Sequence, residues 1–502
     1  MAGTPSSTPA PVASISPTVR AQFANTVDSL VLAPKFRNAH WGVLVVDPAT
    51  GDTIYSRNAG KLFMPASNMK IVTGAVALAR LTPDYRYRTL FATVRRAADS
   101  TRGGWARGDS VLAGDLVIVG RGDPTVSDRM RGNAMVGLLA VADSIAAYGI
   151  RRIDGDVVSA GDAFPGPVLG FGWSWDDLDF PYSAGVDDLL FNEGFATITV
   201  RGGAAAGDSV TARTSPALTY PRLDVRVRTV ARDSTTRGAG RVTVAQDGPA
   251  GLVRLTGTVV AGDSVRVTVA HRDPSGAYIA ALREALRLRG ITLAPSSPAA
   301  SRREYRRADL DSLFAVASPP LHEILPAMEK PSQNQIAEVL LRTLGLEFGG
   351  AGSADSGRRV VEAQLRAWGA DTTGFVIRDG SGLSRHNYLS PETIVRVLSA
   401  MQRSPHFTIF RDALPIAGVD GTIGSRMRGT PAEGNLRAKT GYIDRARALS
   451  GYVTTADGRT LIFSTVCNNW TVTTAEVEQV QDMIGVALAS IRLNPDTAQG
   501  TP

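Results

Sequence analysis

Three short motifs stand far apart in this chain, in the order Ser67-Asn-Met-Lys70, Ser332-Gln-Asn334 and Lys439-Thr440-Gly441. If they act together, the fold must return to one groove after an excursion of 265 positions between the first serine and the second. A chain of 502 residues exceeds what one hydrophobic core organises, and its length alone points to about three folded units.

The hydrophobic pattern says where the excursion begins and ends. A helix-like stretch over 17–32 precedes a strand over 40–47, and the turn at 48–52 leads into a second strand over 53–56, completing a hairpin. Residues 67–81 are small or apolar throughout, as in a buried helix. From about 82 to 301 short β-branched runs alternate with Gly and Asp. Gly-Asp-Ser-Val recurs there at Gly108, Gly207 and Gly262, which suits turns between strands. Helical patterns return over 310–317, 321–328, 335–344 and 357–368, followed by strands over 446–454 and 459–466 and an amphipathic helix over 475–491. This order predicts a mixed α/β (α+β) domain built from 17–84 and 305–495, interrupted by a β-rich insertion at 85–304, with flexible tails at 1–16 and 496–502.

Each motif supplies one element of a nucleophilic site. Ser67 and Lys70, three apart at a helix start, share a face, with Cβ atoms about 5–6 Å apart. A serine hydroxyl needs a base, and a lysine serves when burial and nearby cations lower its pKa; arginine cannot substitute because it stays protonated. Ser332 and Asn334, in a loop before a helix, can relay a proton and orient a substrate amide from the opposite wall. Lys439-Thr440-Gly441 beside a strand-like run suits a sheet edge where an extended substrate adds as a strand. There Lys439 and Thr440 would face a terminal carboxylate, Gly441 would let the substrate backbone approach, and the Tyr442 and Ser67 N–H groups would form an oxyanion hole.

Composition sharpens the case. Of 54 basic residues only Lys35, Lys61, Lys70, Lys330 and Lys439 are lysines. Chance then supplies roughly 0.3 to 0.4 Ser-x-x-Lys matches and about 0.05 Lys-Thr-Gly matches, so both together are not an accident of usage. Competing machineries lack their residues: there is no G-x-S-x-G elbow, no H-E-x-x-H, and no G-K-[ST] after Gly120-Arg-Gly-Asp-Pro124. The single cysteine, Cys467, and five histidines without ligand spacing predict neither a metal nor another cofactor. The net charge of +7 is spread without basic runs or interleaved aromatics, which excludes a nucleic-acid partner and leaves at most weak peripheral attraction to an anionic membrane surface.

Longer strings carry a resemblance. Pro65-Ala-Ser-Asn-Met-Lys70, Gly114-Asp-Leu-Val-Ile-Val-Gly120 with Gly122-Asp-Pro124, Asp379-Gly-Ser-Gly-Leu-Ser-Arg385, Gly418-Val-Asp-Gly-Thr422 and Arg437-Ala-Lys-Thr-Gly441 resemble the class C low-molecular-mass penicillin-binding proteins. These are the S13 D-Ala-D-Ala carboxypeptidases and endopeptidases of the penicillin-binding protein 4 type. The resemblance implies a β-lactamase/transpeptidase-like domain, an antiparallel sheet flanked by helices, with two inserted domains: an outer one at about 85–185 and 270–304 and a nested one at about 190–268. It implies that Ser67 is acylated by a peptidoglycan stem peptide, with Lys70, Ser332, Asn334 and Lys439 as partners, and that β-lactams trap the acyl-enzyme. It further implies a pocket for a diaminopimelate side chain, with Trp173, Asp176 and Tyr182 on one wall and Arg385 across from them. Asp176 would meet an ammonium there and Arg385 a carboxylate. Relatives carry Thr or Ser where Tyr442 stands, so a hydroxyl that helps hold the substrate carboxylate is missing or displaced.

The alternatives that share this machinery are a β-lactamase, which turns over β-lactams steadily, and a non-catalytic β-lactam sensor or cell-wall scaffold. The expected place of work is the periplasm or the secreted space, with a leader already removed, since the first sixteen residues have neither a basic start nor an apolar core.

Overall fold

The run Trp41-Gly-Val-Leu-Val45 is apolar on both sides of the pleat, so as a strand it must be covered on both faces, and in the computed structural model all five residues are buried. The structure describes residues 14–95, 105–161, 163–232, 238–246, 251–295 and 303–493. Strand β1 (His40–Val46) lies in a five-stranded antiparallel sheet with β2 (Thr53–Arg57), β3 (Arg437–Ile443), β4 (Ala446–Thr454) and β5 (Thr460–Asn468). The order is β3-β4-β5-β1-β2. The N-terminal hairpin thus zips onto the C-terminal meander, His40 opposite Asn468 and Val46 opposite Ile462, and β3 is left at an edge.

Helices cover both faces. On one, α1 (Pro17–Val31) and the last helix press Phe23, Val27, Val477 and Ile484 into a shared core with Val43 and Phe463. On the other lies α2 (Met69–Leu81), buried at every residue except Ala79 and Arg80. A helix apolar all round must be enclosed. It is enclosed by α3 (Leu321–Glu329), α4 (Asn334–Phe348) and the helices Ala354–Ala367 and Pro391–Gln402.

Between α2 and α3 the chain builds its insertion. Arg88–Val94 pairs with Leu310–Ala317 and with Leu116–Val119, which pairs in turn with Val157–Ser159. Helices Met135–Ala147 and Pro274–Leu288 share a core with this sheet through Phe91, Ile118, Leu138 and Leu282. Two three-stranded sheets fold between Phe195 and Ala270 around Ile198, Val200, Leu255 and Val269. Two of the repeated tetrapeptides join strands here, the one at Gly207 preceding Thr211–Ser215 and the one at Gly262 leading into Ser264–Ala270.

Three expectations change. Leu310–Ala317 is a strand, and the inserted sheet therefore runs to Ala317, beyond the boundary expected at 304. A register shift between Ser312 and Phe314 breaks the two-residue alternation, which gives Leu310, Leu313 and Phe314 the spacing of a helix face. The insertion also holds two long helices where the pattern suggested strands. Finally, of the expected tails, Ile15 is buried in the core and Ser16 N donates to Leu493 O at 3.2 Å; residues 1–13 and 494–502 lie outside the described residues.

Candidate active site

Ser67 occupies the tight turn Ala66–Asn68 that feeds α2, and Ser332 lies on the turn between α3 and α4. Ala66 holds φ at 46° and Ser332 at 65°, left-handed values that cost free energy unless the surroundings fix them. The Ser67 turn is clamped against the sheet edge. Asn68 Nδ2 donates to Lys439 O at 2.8 Å, and a β-carbon on Gly441 would stand 2.5 Å from Pro65 O. The absence of a side chain at Gly441 therefore serves the protein's own packing. This replaces the expectation that it clears room for a substrate backbone, because that space is already filled by Pro65, Ala66 and Ala448.

Lys70 Nζ lies 3.0 Å from Ser67 Oγ, 2.6 Å from Asn334 Oδ1 and 2.7 Å from Ser381 O. The amine is fully buried; that burial, and next the charge of Lys439, bring its pKa down to about 7. A neutral amine keeps two N–H donors, which Asn334 and Ser381 accept, and its lone pair is left facing the Ser67 hydroxyl. The orientation of Asn334 is set from the insertion: its Nδ2 donates to Tyr182 O at 2.6 Å. On the other side of the groove Lys439 Nζ donates to Ser332 Oγ at 2.8 Å and to Thr440 O at 3.1 Å, while Thr440 Oγ1 donates to Thr422 Oγ1 at 2.7 Å.

These groups open on a cleft of about 810 Å³ lined by Ser67, Ser332, Asn334, Thr440 and Tyr442, with Asp176, Tyr182 and Arg385 also in its wall. A larger cavity, about 1000 Å³, lies in the insertion around Arg222, Arg283 and Arg287 and holds none of the three motifs, so size is no guide to the chemistry here. Trp173 departs from expectation. It does not line the cleft; its Nε1 donates to Asp379 Oδ2 at 3.0 Å, and that carboxylate also accepts from Gly382 N, Ser384 N and Asn387 Nδ2. The indole thus braces the loop that presents Ser381 to Lys70. Tyr182 donates its hydroxyl to Asp177 Oδ1 at 2.6 Å, and Arg385 Nη1 donates to Asp444 O at 3.0 Å.

Sequence reasoning missed several participants. Thr422 and Ser381 sit inside strings that carried the family resemblance, which was their available signal. Arg447 lines the cleft from β4 directly opposite Tyr442 in the strand register, its guanidinium 4.8 Å from the ring centre; nothing short of that register points to it.

A helix-flanked antiparallel sheet with a serine and lysine at one helix start, a second serine and an amide on a facing turn, and a lysine on the sheet edge defines an active-site-serine acyl-transfer hydrolase. The chain belongs to the D-Ala-D-Ala carboxypeptidase 3 (S13) family, whose sequence profile matches residues 23–491. It is 36% identical over 483 residues to the D-alanyl-D-alanine carboxypeptidase of an Actinomadura species, covering 93% of this chain and 84% of that protein. Its fold is similar to the crystal structure of penicillin binding protein 4 from Haemophilus influenzae, with a TM-score of 0.76 at 22% identity over 93% of this chain and 99% of that one. The same Haemophilus influenzae protein complexed with a β-lactam gives a TM-score of 0.71 at 22% identity, covering 93% of this chain and all of that one.

Proposed function

We propose that this protein is a serine D-Ala-D-Ala peptidase that cleaves peptidoglycan stem peptides through an acyl-enzyme on Ser67. The observation that carries this reading is the placement of Lys70 Nζ between Ser67 Oγ and Asn334 Oδ1, in one cleft with the Lys439–Ser332 hydrogen bond.

In acylation Ser67 Oγ attacks the carbonyl of the penultimate D-alanine, and its proton passes to the neutral Lys70 amine. The C–N bond then breaks as Ser332, held by Lys439, passes a proton to the leaving nitrogen. D-Alanine leaves in a carboxypeptidase reaction; the amine of a second stem leaves if a cross-link is cut. Water then attacks the ester carbonyl and gives a proton to Ser332, the bond to Oγ breaks, and Ser67 takes back the proton held by Lys70. A β-lactam reacts in the same way, but its leaving nitrogen stays tethered, so the acyl-enzyme lingers. Asp176 and Arg385, both in the cleft wall, suit the ammonium and carboxylate of a zwitterionic side chain. Such a substrate places the enzyme outside the cytoplasm. Among the described residues no helix is long and apolar enough to cross a membrane.

Intact-mass spectrometry after exposure to benzylpenicillin tests the assignment. The wild type should gain one adduct and Ser67→Ala none, with D-alanine released from a D-Ala-D-Ala pentapeptide by the wild type alone. An adduct that persists on Ser67→Ala removes Ser67 from the mechanism.

A further inference from the structure

Glu329 closes α3, three residues before Ser332, and is fully buried. Its carboxylate faces α2, where a β-carbon on Gly74 would stand 2.7 Å from Oε1. Gly74 lies four residues beyond Lys70, so the carboxylate is seated against the same face of α2 one turn from Lys70, and Glu329 does not line the cleft. Neither of its oxygens has a hydrogen-bond partner among the described residues. A carboxylate in such a place is tolerated only when it is neutral or when buried cations compensate it.

Two cations are at hand. Burial outweighs the charges of Lys439 and Lys70, that of Lys439 being the stronger, and raises the pKa of Glu329 to about 7, so its charge develops in the same range in which Lys70 loses its proton. The hydrogen bonds of these lysines are spent elsewhere, on Ser67, Asn334 and Ser381 for Lys70 and on Ser332 and Thr440 for Lys439. The remaining charges divide unequally. Glu338, on α4, and Asp379, on the loop that carries Ser381, also favour the Lys70 ammonium, whereas Lys439 has Glu329 acting for it and Arg447 acting against it. Lys330, the next residue in the chain, is turned away to Asp420.

We propose that Glu329 is the buried counter-charge of the lysine pair, so that its charge sets the pH range over which Lys70 works as a base and Lys439 as an ammonium. Glu329 is a positioning residue: it touches neither the substrate space nor the Ser67 hydroxyl and acts through the lysines. The inference rests on the functional reading above and concerns the protonation state of that same site. The three groups titrate as a set, so the pH limits of acylation belong to the set and move together when one charge is removed.

The test is the rate of Ser67 labelling by a fluorescent penicillin from pH 5 to 10, each protein normalised to its own optimum so that a partly folded preparation changes amplitude and not position. Glu329→Gln keeps the size and removes the charge. Both lysines then lose their protons more readily, and the whole profile should move toward acid by about one pH unit. Glu329→Asp, which keeps the charge, should return most of the shift. If Glu329→Gln does not fold, Glu329→Met supplies an uncharged side chain of similar volume and the same expectation. A profile in the uncharged variant that superimposes on the wild type overturns the proposal, as does a natively folded uncharged variant that is unlabelled at every pH, since that places Glu329 in the chemistry itself. Absence of labelling in the wild type would instead overturn the functional reading, and the inference with it.

Discussion

Lys439 Nζ donates to Ser332 Oγ across 2.8 Å, tying a sheet edge to the turn between two helices. That hydroxyl is the group on the far side of the cleft from Lys70 that can hand a proton to a leaving nitrogen. Ser332→Ala should therefore slow acylation by both a fluorescent penicillin and a D-Ala-D-Ala peptide, by about 10²–10⁴-fold, the usual range for a positioned proton donor. Stopped-flow labelling and D-alanine release measure the two. A change confined to the KM of the peptide would make Ser332 a binding group only.

Lys70 sets the acid side of activity. Its ordinary pKa of 10.5 is brought to about 7 by burial and by Lys439, and the base form is the competent one. Acylation should thus rise about tenfold per pH unit below 7, level off just above it, and fall again as Lys439, whose pKa burial brings down to about 8, loses its proton. Lys70→Arg should abolish labelling at every pH tested, because a guanidinium keeps its proton.

Much of this site was legible in the sequence because its chemistry depends on residue types with few substitutes. A lysine three residues from a serine at a helix start is a local pattern, and a chain with so few lysines makes each one conspicuous. The hairpin, the buried helix and the edge strand could be read because alternation and all-round apolarity are also local. What was hidden depends on contacts far apart in sequence or on broken periodicity. The bulge in Leu310–Ala317 disguised a strand as a helix. Trp173 looked like a pocket wall, because its partner Asp379 is 206 positions away. Glu329 carries no motif, and only the approach of α3 to Gly74 reveals where its carboxylate sits.

The close approach of β3 to the Ser67 turn gives a packing prediction. In Gly441→Ala the new methyl would meet the backbone oxygen of Pro65, which no side-chain rotation can relieve. Overpacking of this kind costs about 1–3 kcal/mol. Thermal unfolding should show a lowered midpoint, and labelling of Ser67 should slow because the turn that holds it must shift. An unchanged midpoint with unchanged labelling would mean that the turn and the strand are not held together as described.

Asp379 is a buried carboxylate whose oxygens accept from Gly382 N, Ser384 N, Asn387 Nδ2 and Trp173 Nε1. Asp379→Ala leaves these donors without their acceptor and loosens the loop whose Ser381 carbonyl fixes Lys70. A loss of about 3 kcal/mol in stability is expected by denaturant titration, together with slower acylation. Trp173→Phe removes one donor only and should cost about 1 kcal/mol.

Tyr442 stands beside the cleft with its ring over Arg447, and Arg447 is paired with Glu478 on the last helix. Arg447 Nε is buried with no hydrogen-bond partner among the described residues, although the residue lines the cleft near Thr440. A peptide ending in a carboxylate has the complementary group, and the guanidinium beside Thr440 is a donor at hand. Arg447→Met should raise the KM for a D-Ala-D-Ala peptide by roughly tenfold or more, the value of a charge-assisted hydrogen bond, while leaving an amide-capped peptide nearly unchanged. Steady-state kinetics on the capped and uncapped pair separate the two outcomes. An equal loss on both would assign Arg447 to the fold through Glu478 and leave the carboxylate to Thr440.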